Sequence, residues 1–120
     1  MSSQLNPELN QVLNQLITTA LEDLKGKNIV QLDVRELSDV MDTLIIASGT
    51  SSRHARSMAD NVVEDLKKHG HRPLGVEGIE TGDWVLVDYG DTVVHVMQED
   101  TRAFYELEKL WSMKPSNRTE

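Results

Sequence analysis

The residues best suited to chemistry fall into three groups. The stretch "SGTSSRHARS" passes through Gly49, Thr50, Ser51 and Ser52 into a helix, and backbone amides at a helix N-terminus can hold a phosphate. Its spacing matches neither the dinucleotide fingerprint nor the phosphate loop that closes on Gly-Lys-Ser/Thr. Capping of the helix by Ser51 or Ser52 is the simpler role for the hydroxyls. Acids form the second group. Nucleotidyl transfer needs two carboxylates that hold a divalent metal between substrate oxygens, which an i, i+2 pair on one strand would supply. Asp88 and Asp91 straddle a turn, and Asp33 and Glu36 have the same unsuitable spacing. Histidines are the third group. His69 and His71 flank Gly70 at a helix end, where a cation meets the dipole favourably. His54 lies in the first turn of a helix and His95 in a strand, neither beside a serine nucleophile and an orienting acid. With no cysteine in the chain, disulfides, thiolate ligands and thiol catalysis are excluded. No catalytic residue, metal site or cofactor is assigned.

A binding role draws attention to "GIETGDWVLVDYGDTVVHVMQED", residues 78 to 100. Gly90-Asp91 makes a two-residue hairpin loop, with Gly supplying the positive φ. That register sets Tyr89 opposite Thr92, Asp88 opposite Val93, Val87 opposite Val94, Leu86 opposite His95, Val85 opposite Val96 and Trp84 opposite Met97. Opposed residues share a face. One face is then Val85, Val87, Val94 and Val96, a β-branched surface for helices. The other is Trp84, Leu86, Asp88, Val93, His95 and Met97, too apolar to stand in water without a purpose. Either another part of the chain, such as the C-terminal helix, covers this second face, or it is open with Trp84 as an interface anchor. We take the open arrangement as the expectation.

The flanking elements follow from periodicity. Asn6-Pro7-Glu8 starts a helix, and Leu9, Leu13, Leu16, Ala20 and Leu24 mark its apolar stripe as far as Gly26. "NIVQLDV" and "DTLIIASG" read as strands, the second apolar enough to be central. The helix after Gly49 turns Ala55, Met58, Val62 and Leu66 inward and stops at Gly70. "HRPLGVEG" is a short extended piece leading into the hairpin. A last helix begins near Asp100 or Thr101, with Phe104, Leu107 and either Leu110 or Trp111 inward. The order α-β-β-α-β-β-β-α predicts one α/β domain over residues 1–111, a mixed sheet packed with helices. Residues 1–5 read as a loose arm and 112–120 as a disordered tail.

Charge narrows the class of partner. Twelve basic and 20 acidic residues give a formal net charge of −8 over 120 residues, which opposes binding to phosphate backbones. Between Glu77 and Asp100 stand seven acids and no Lys or Arg. A basic protein surface suits such a ribbon better than a nucleic acid does. No apolar run approaches the ~20 residues that span a membrane, and "MSSQLNPELN" has no signal-peptide pattern, so a cytosolic protein is expected.

"GTSSRHARSMADNVVEDLK", "PLGVEG", "DWVLVDYGDTVVHVM" and "FYELEKLW", in this order and spacing, resemble the ribosomal silencing factor family, also called Iojap-like, across residues 10 to 111. The resemblance implies a nucleotidyltransferase-like fold used for binding, not catalysis. It implies docking on the large ribosomal subunit through ribosomal protein fourteen of that subunit, and a steric block to joining of the small subunit that damps translation when nutrients are short. The family's D-W corresponds to Asp83-Trp84, its D-x-G-D to Asp88, Tyr89, Gly90 and Asp91, and its LGVEG to Leu74 through Gly78. Expected contacts are Trp84, Asp88 and Tyr89, with Leu86 and His95 as neighbours and Leu74 at the rim. Strict alternation sends Tyr89 to the core side, so contact there requires the turn to re-aim it. Gly75 and Gly78 are expected to shape the backbone. A nucleotidyltransferase acting through the Gly49–Ser52 turn and a homodimer through the Trp84 face are the alternatives.

Overall fold

The computed structural model describes residues 7–106 together with Lys109. Its elements in chain order are α1 (Pro7–Asp23), β1 (Lys27–Asp33), β2 (Thr43–Gly49), α2 (Ser52–Lys68), β3 (Gly75–Glu77), β4 (Trp84–Asp88), β5 (Thr92–Gln98) and α3 (Glu99–Tyr105). This is the predicted order. The five strands form one sheet ordered β1-β2-β5-β4-β3. Only the β2–β5 pair is parallel; β1–β2, β3–β4 and β4–β5 are antiparallel. The expected α/β class, a mixed sheet packed with helices, is what the chain adopts.

The hairpin has the predicted register, from Trp84 opposite Met97 to Asp88 opposite Val93. Tyr89 N–H donates to the Thr92 carbonyl at 2.9 Å, closing the loop around Gly90, whose φ of 88° requires glycine. Side-chain alternation then divides the sheet. Val85, Val87, Val94 and Val96 join Ile45 and Ala47 on one face, all fully buried. α1 and α2 close this face with Leu13, Ile17, Ala20, Leu21, Ala55, Met58, Ala59, Val62 and Leu66. The stripe of α1 is rotated from the expected one. Ile17 and Leu21 lie at its centre, and Leu16 and Leu24 are only partly buried. Apolar residues occupy neighbouring helical positions here, so spacing alone leaves the centre of the stripe ambiguous by one residue.

α2 begins as expected, with Ser51 in extended conformation accepting from His54 N–H. At its other end His69 N–H and Gly70 N–H reach carbonyls of the last turn. A buried polar tie fixes α1 to the sheet, with Thr92 Oγ1 donating to Asn14 Oδ1 at 2.7 Å. β2 is buried along its whole length because both sides of the sheet are covered there. On the side away from α1 and α2, Val34, Leu44, Ile46 and Met97 make a second, smaller core. The side chains of Leu9 and Phe104, residues Leu107, Leu110 and Trp111, the arm 1–5 and the tail 112–120 lie outside the described residues.

Candidate functional site

The sheet face that carries the second core also carries Trp84, Leu86, Asp88, Val93 and His95. It is neither fully covered nor fully open. The segment between β1 and β2 brings Val34 and Met41 over Leu44, Ile46 and Met97. That segment is held by Val34 N–H to the Asp42 carbonyl, and by Asp42 N–H to the Asp91 carbonyl in the hairpin loop. α3 covers the neighbouring end. Arg102 is buried there and donates from Nη1 to Ser48 Oγ at 2.8 Å, beside a cleft of about 410 Å³ that Asn28, Glu99 and Lys109 also line. Between the two covers, Trp84, Leu86, Asp88 and Val93 remain half-buried. The covering helix anticipated from the sequence therefore exists, and among the described residues it covers one end of the face.

Trp84 is clamped from two sides. Its Nε1–H donates to His95 Nδ1 at 2.9 Å, and its ring lies against Tyr105 of α3 with centroids 4.9 Å apart and planes tilted by 49°. Tyr105 is 54% exposed and extends the aromatic surface outward. The loop entering β4 sets the height of the indole. Gly78, at φ 83°, passes so close that a Cβ would fall 2.1 Å from the Trp84 carbonyl oxygen. Gly82, at φ 73°, would place a Cβ 2.6 Å from the Ser52 carbonyl oxygen, so the loop also seats on the start of α2. Gly78 thus shapes the backbone as expected. Gly75 does not, because a Cβ there meets nothing within 4 Å. Gly82 was visible in the sequence only as one more loop glycine.

His95 is 7% exposed, and burial pushes its imidazole down to about 4, so the ring is neutral at ordinary pH. It is a support beneath Trp84 and not an exposed neighbour. Asp88 accepts from Gly90 N–H at 2.7 Å and so stiffens the turn. Leu74 is 76% exposed, its N–H bound to the Asp88 carbonyl, which leaves a bare leucine at the rim. Tyr89 stays on the side that alternation assigns to it. It packs against the helix-covered core, its hydroxyl is buried without a hydrogen-bond partner among the described residues, and burial raises that hydroxyl to about 12. The turn does not re-aim it, so Trp84, Leu86 and Asp88 share one face, Tyr89 lies on the other, and Leu74 stands at the rim beside the Gly90 turn.

In the turn from Gly49 to Ser52, the Thr50 amide and the Ser51 oxygens are engaged from within. Thr50 N–H donates to His54 Nδ1 at 2.9 Å, and His54 Nε2 donates to the Leu24 carbonyl at 2.7 Å. Ser51 takes the His54 and Ala55 amides through its hydroxyl and carbonyl oxygens. His54 therefore ties the end of α1 to the start of α2. The described residues include no group of three or more His, Asp or Glu placed to hold a metal ion, and no helix long and apolar enough to cross a membrane.

The model of the family described as "Ribosomal silencing factor during starvation" matches residues 7–120. The chain is 47% identical over 100 residues to a ribosomal silencing factor of Haemophilus influenzae, covering 83% of this chain and 98% of that one. It is 33% identical over 102 residues to a Mus musculus protein named for mitochondrial assembly of the ribosomal large subunit, covering 82% of this chain and 45% of that one. A crystal structure of a protein from Chromobacterium violaceum superposes with a TM-score of 0.84 at 44% identity, covering 88% of each chain.

Proposed function

The chain belongs to the ribosomal silencing factor family, and from that membership we propose that it docks on the large ribosomal subunit through ribosomal protein fourteen of that subunit. There it sterically blocks joining of the small subunit and represses translation under nutrient limitation. It works in the cytoplasm by occupying a surface, without a catalytic step or a cofactor. The observation that carries this reading is a partly buried tryptophan clamped in place on an apolar sheet face. Aromatic anchors held in one orientation are what interface hot spots are made of, because little rotamer entropy is left to lose on binding. Leu86 beside it and Leu74 at the rim supply apolar contact area. The acids from Glu77 to Asp100 favour a basic partner and discourage bare RNA. The mouse relative, named for assembly of the ribosomal large subunit in mitochondria, supports that subunit as the one engaged.

The test is co-sedimentation with purified large subunits, followed by light scattering as small subunits are added. The wild-type chain is expected to pellet with large subunits and to suppress the rise in scattering. Trp84→Ala is expected to weaken docking by about 2 kcal/mol or more, roughly 30-fold, while circular dichroism stays native. Failure of the wild-type chain to pellet, or undiminished docking by Trp84→Ala, would overturn the proposal. A concentration-dependent mass that Trp84→Ala abolishes, with no effect on ribosomes, would assign the face to a homodimer instead.

A further inference from the structure

Beneath the anchor lies a histidine that the docking reading does not by itself explain. His95 pairs with Leu86 on β4 and with Ile46 on β2, both apolar. Fully buried Met97 lies two residues further along its own strand. An imidazole in such surroundings costs stability unless its polar atoms are used. The bond it makes is with Trp84, Nε1–H to Nδ1 at 2.9 Å.

Indole nitrogen is a donor only. For this bond to exist, Nδ1 must present its lone pair, and the proton of the neutral ring sits on Nε2. A proton added at Nδ1 would set N–H against N–H and release the indole. The charged and titratable groups of the surrounding elements are Glu77 on β3, Asp88 on β4, Glu99, Asp100, Arg102 and Tyr105 on α3, and Arg35, Glu36, Asp39 and Asp42 between β1 and β2. None of them is a cause of the depressed imidazole, which is burial alone. Asp88 is turned to Gly90 N–H and Arg102 to Ser48.

We infer that His95 is a positioning residue: its unprotonated Nδ1 fixes the Trp84 indole in the orientation presented to the partner, without touching the partner itself. The inference rests on the reading of the Trp84 face as the docking surface. It differs from the expectation of His95 as a contact neighbour, because the same loss of docking would now arise through Trp84.

The experiment uses the full chain with His95→Leu, His95→Asn, Trp84→Phe and the Trp84→Phe/His95→Leu double variant. Each is read by large-subunit affinity and by the indole N–H resonance of Trp84, assigned by its loss in Trp84→Phe. Asn retains an acceptor oxygen near the position of Nδ1 but does not titrate. His95→Leu is expected to lose the hydrogen-bonded indole signal and about tenfold in affinity, and His95→Asn to stay within about threefold of wild type. The wild-type indole signal is expected to move with acid as His95 protonates, and that of His95→Asn to stay fixed. In the Trp84→Phe background, which has no indole N–H to hold, His95→Leu is expected to cause no further loss.

Undiminished docking by His95→Leu, or an equal further loss in the Trp84→Phe background, overturns the inference. If His95→Leu fails to fold, His95→Asn decides. A native fold with docking kept and acid titration gone supports positioning, and a native fold with docking lost overturns it. Failure of the wild-type chain to bind large subunits would refute the proposed function, and the indole titration would still report whether His95 holds Trp84.

Discussion

The two faces of the one sheet are built by different rules. Under α1 and α2 the middle of the sheet presents Val, Ile and Ala, fully buried, with Thr43 and Thr92 at one end tied to Asn14 of α1. On the other side a smaller core of Val34, Leu44, Ile46 and Met97 grades into a half-buried strip that contains an indole, an imidazole and a carboxylate. The first face is closed by two 17-residue helices. The second is covered, among the described residues, by a loop and the short stretch of α3. A face that serves only stability can be uniformly apolar. One that must leave an anchor accessible keeps polar atoms near it, and each has to be satisfied locally, as Trp84 satisfies His95 and Gly90 satisfies Asp88.

Equal truncations on the two faces should therefore have unequal consequences. Leu66→Ala removes a fully buried side chain from the helix-covered core and is expected to cost about 3 kcal/mol of stability. Docking per folded molecule should be unchanged. Leu86→Ala, half-exposed on the opposite face, is expected to cost about 1 kcal/mol of stability or less, and to weaken docking instead. Urea melts and co-sedimentation of both variants check the pair. Equal stability losses would erase the distinction between the faces.

Acid should act on the second face through His95. Its folded pKa of about 4 lies below the ordinary 6.5, so between those values the unfolded chain binds more protons than the folded one. The contribution is complete above about pH 6.5 and is lost as pH falls toward 4, amounting to roughly 3 kcal/mol. Carboxylates titrate in the lower part of this window too. The measurement is therefore the difference between wild type and His95→Asn in urea melts at pH 7, 5.5 and 4.5. The stability of wild type relative to His95→Asn should fall as the pH falls; a constant difference would mean that His95 is not the titrating group.

The faces also differ in how much of them the sequence discloses. Hairpin register, the Val85–Val87–Val94–Val96 face and the Ser51 cap follow from local alternation and turn chemistry, and all three are present. The support of Trp84 by His95 was within reach. The two are diagonal neighbours across β4 and β5, a separation that aromatic and imidazole rings can bridge. Tyr105 was not within reach, because its position over Trp84 depends on where a short helix crosses the sheet. The partial cover by Val34 and Met41 likewise depends on the Asp42–Asp91 backbone bond between distant segments. His54 carried no sign of its role, since its partner is a main-chain carbonyl 30 residues away. Local rules thus disclose what each strand offers, and the tertiary path of loops decides what is left uncovered.

Tyr89 supplies the finest test of the contrast, because on the helix-covered side Asn14, Thr43 and Thr92 satisfy one another and the Tyr89 hydroxyl does not share in that. Its ring packs against the helix-covered core, while its hydroxyl is buried with no partner among the described residues. Such an unmade hydrogen bond costs the free chain on the order of 1 kcal/mol. Tyr89→Phe keeps the ring and removes the orphaned oxygen, so it is expected to raise stability by about that amount, seen as a shift of the urea midpoint with an unchanged slope. Because the hydroxyl points away from the Trp84 strip, large-subunit affinity should not change. A more stable variant that docks normally would make Tyr89 part of the scaffold. A more stable variant that docks poorly would show that the hydroxyl is held unpaired in the free protein for a bond made only in the complex, and would move Tyr89 to the functional side of the divide.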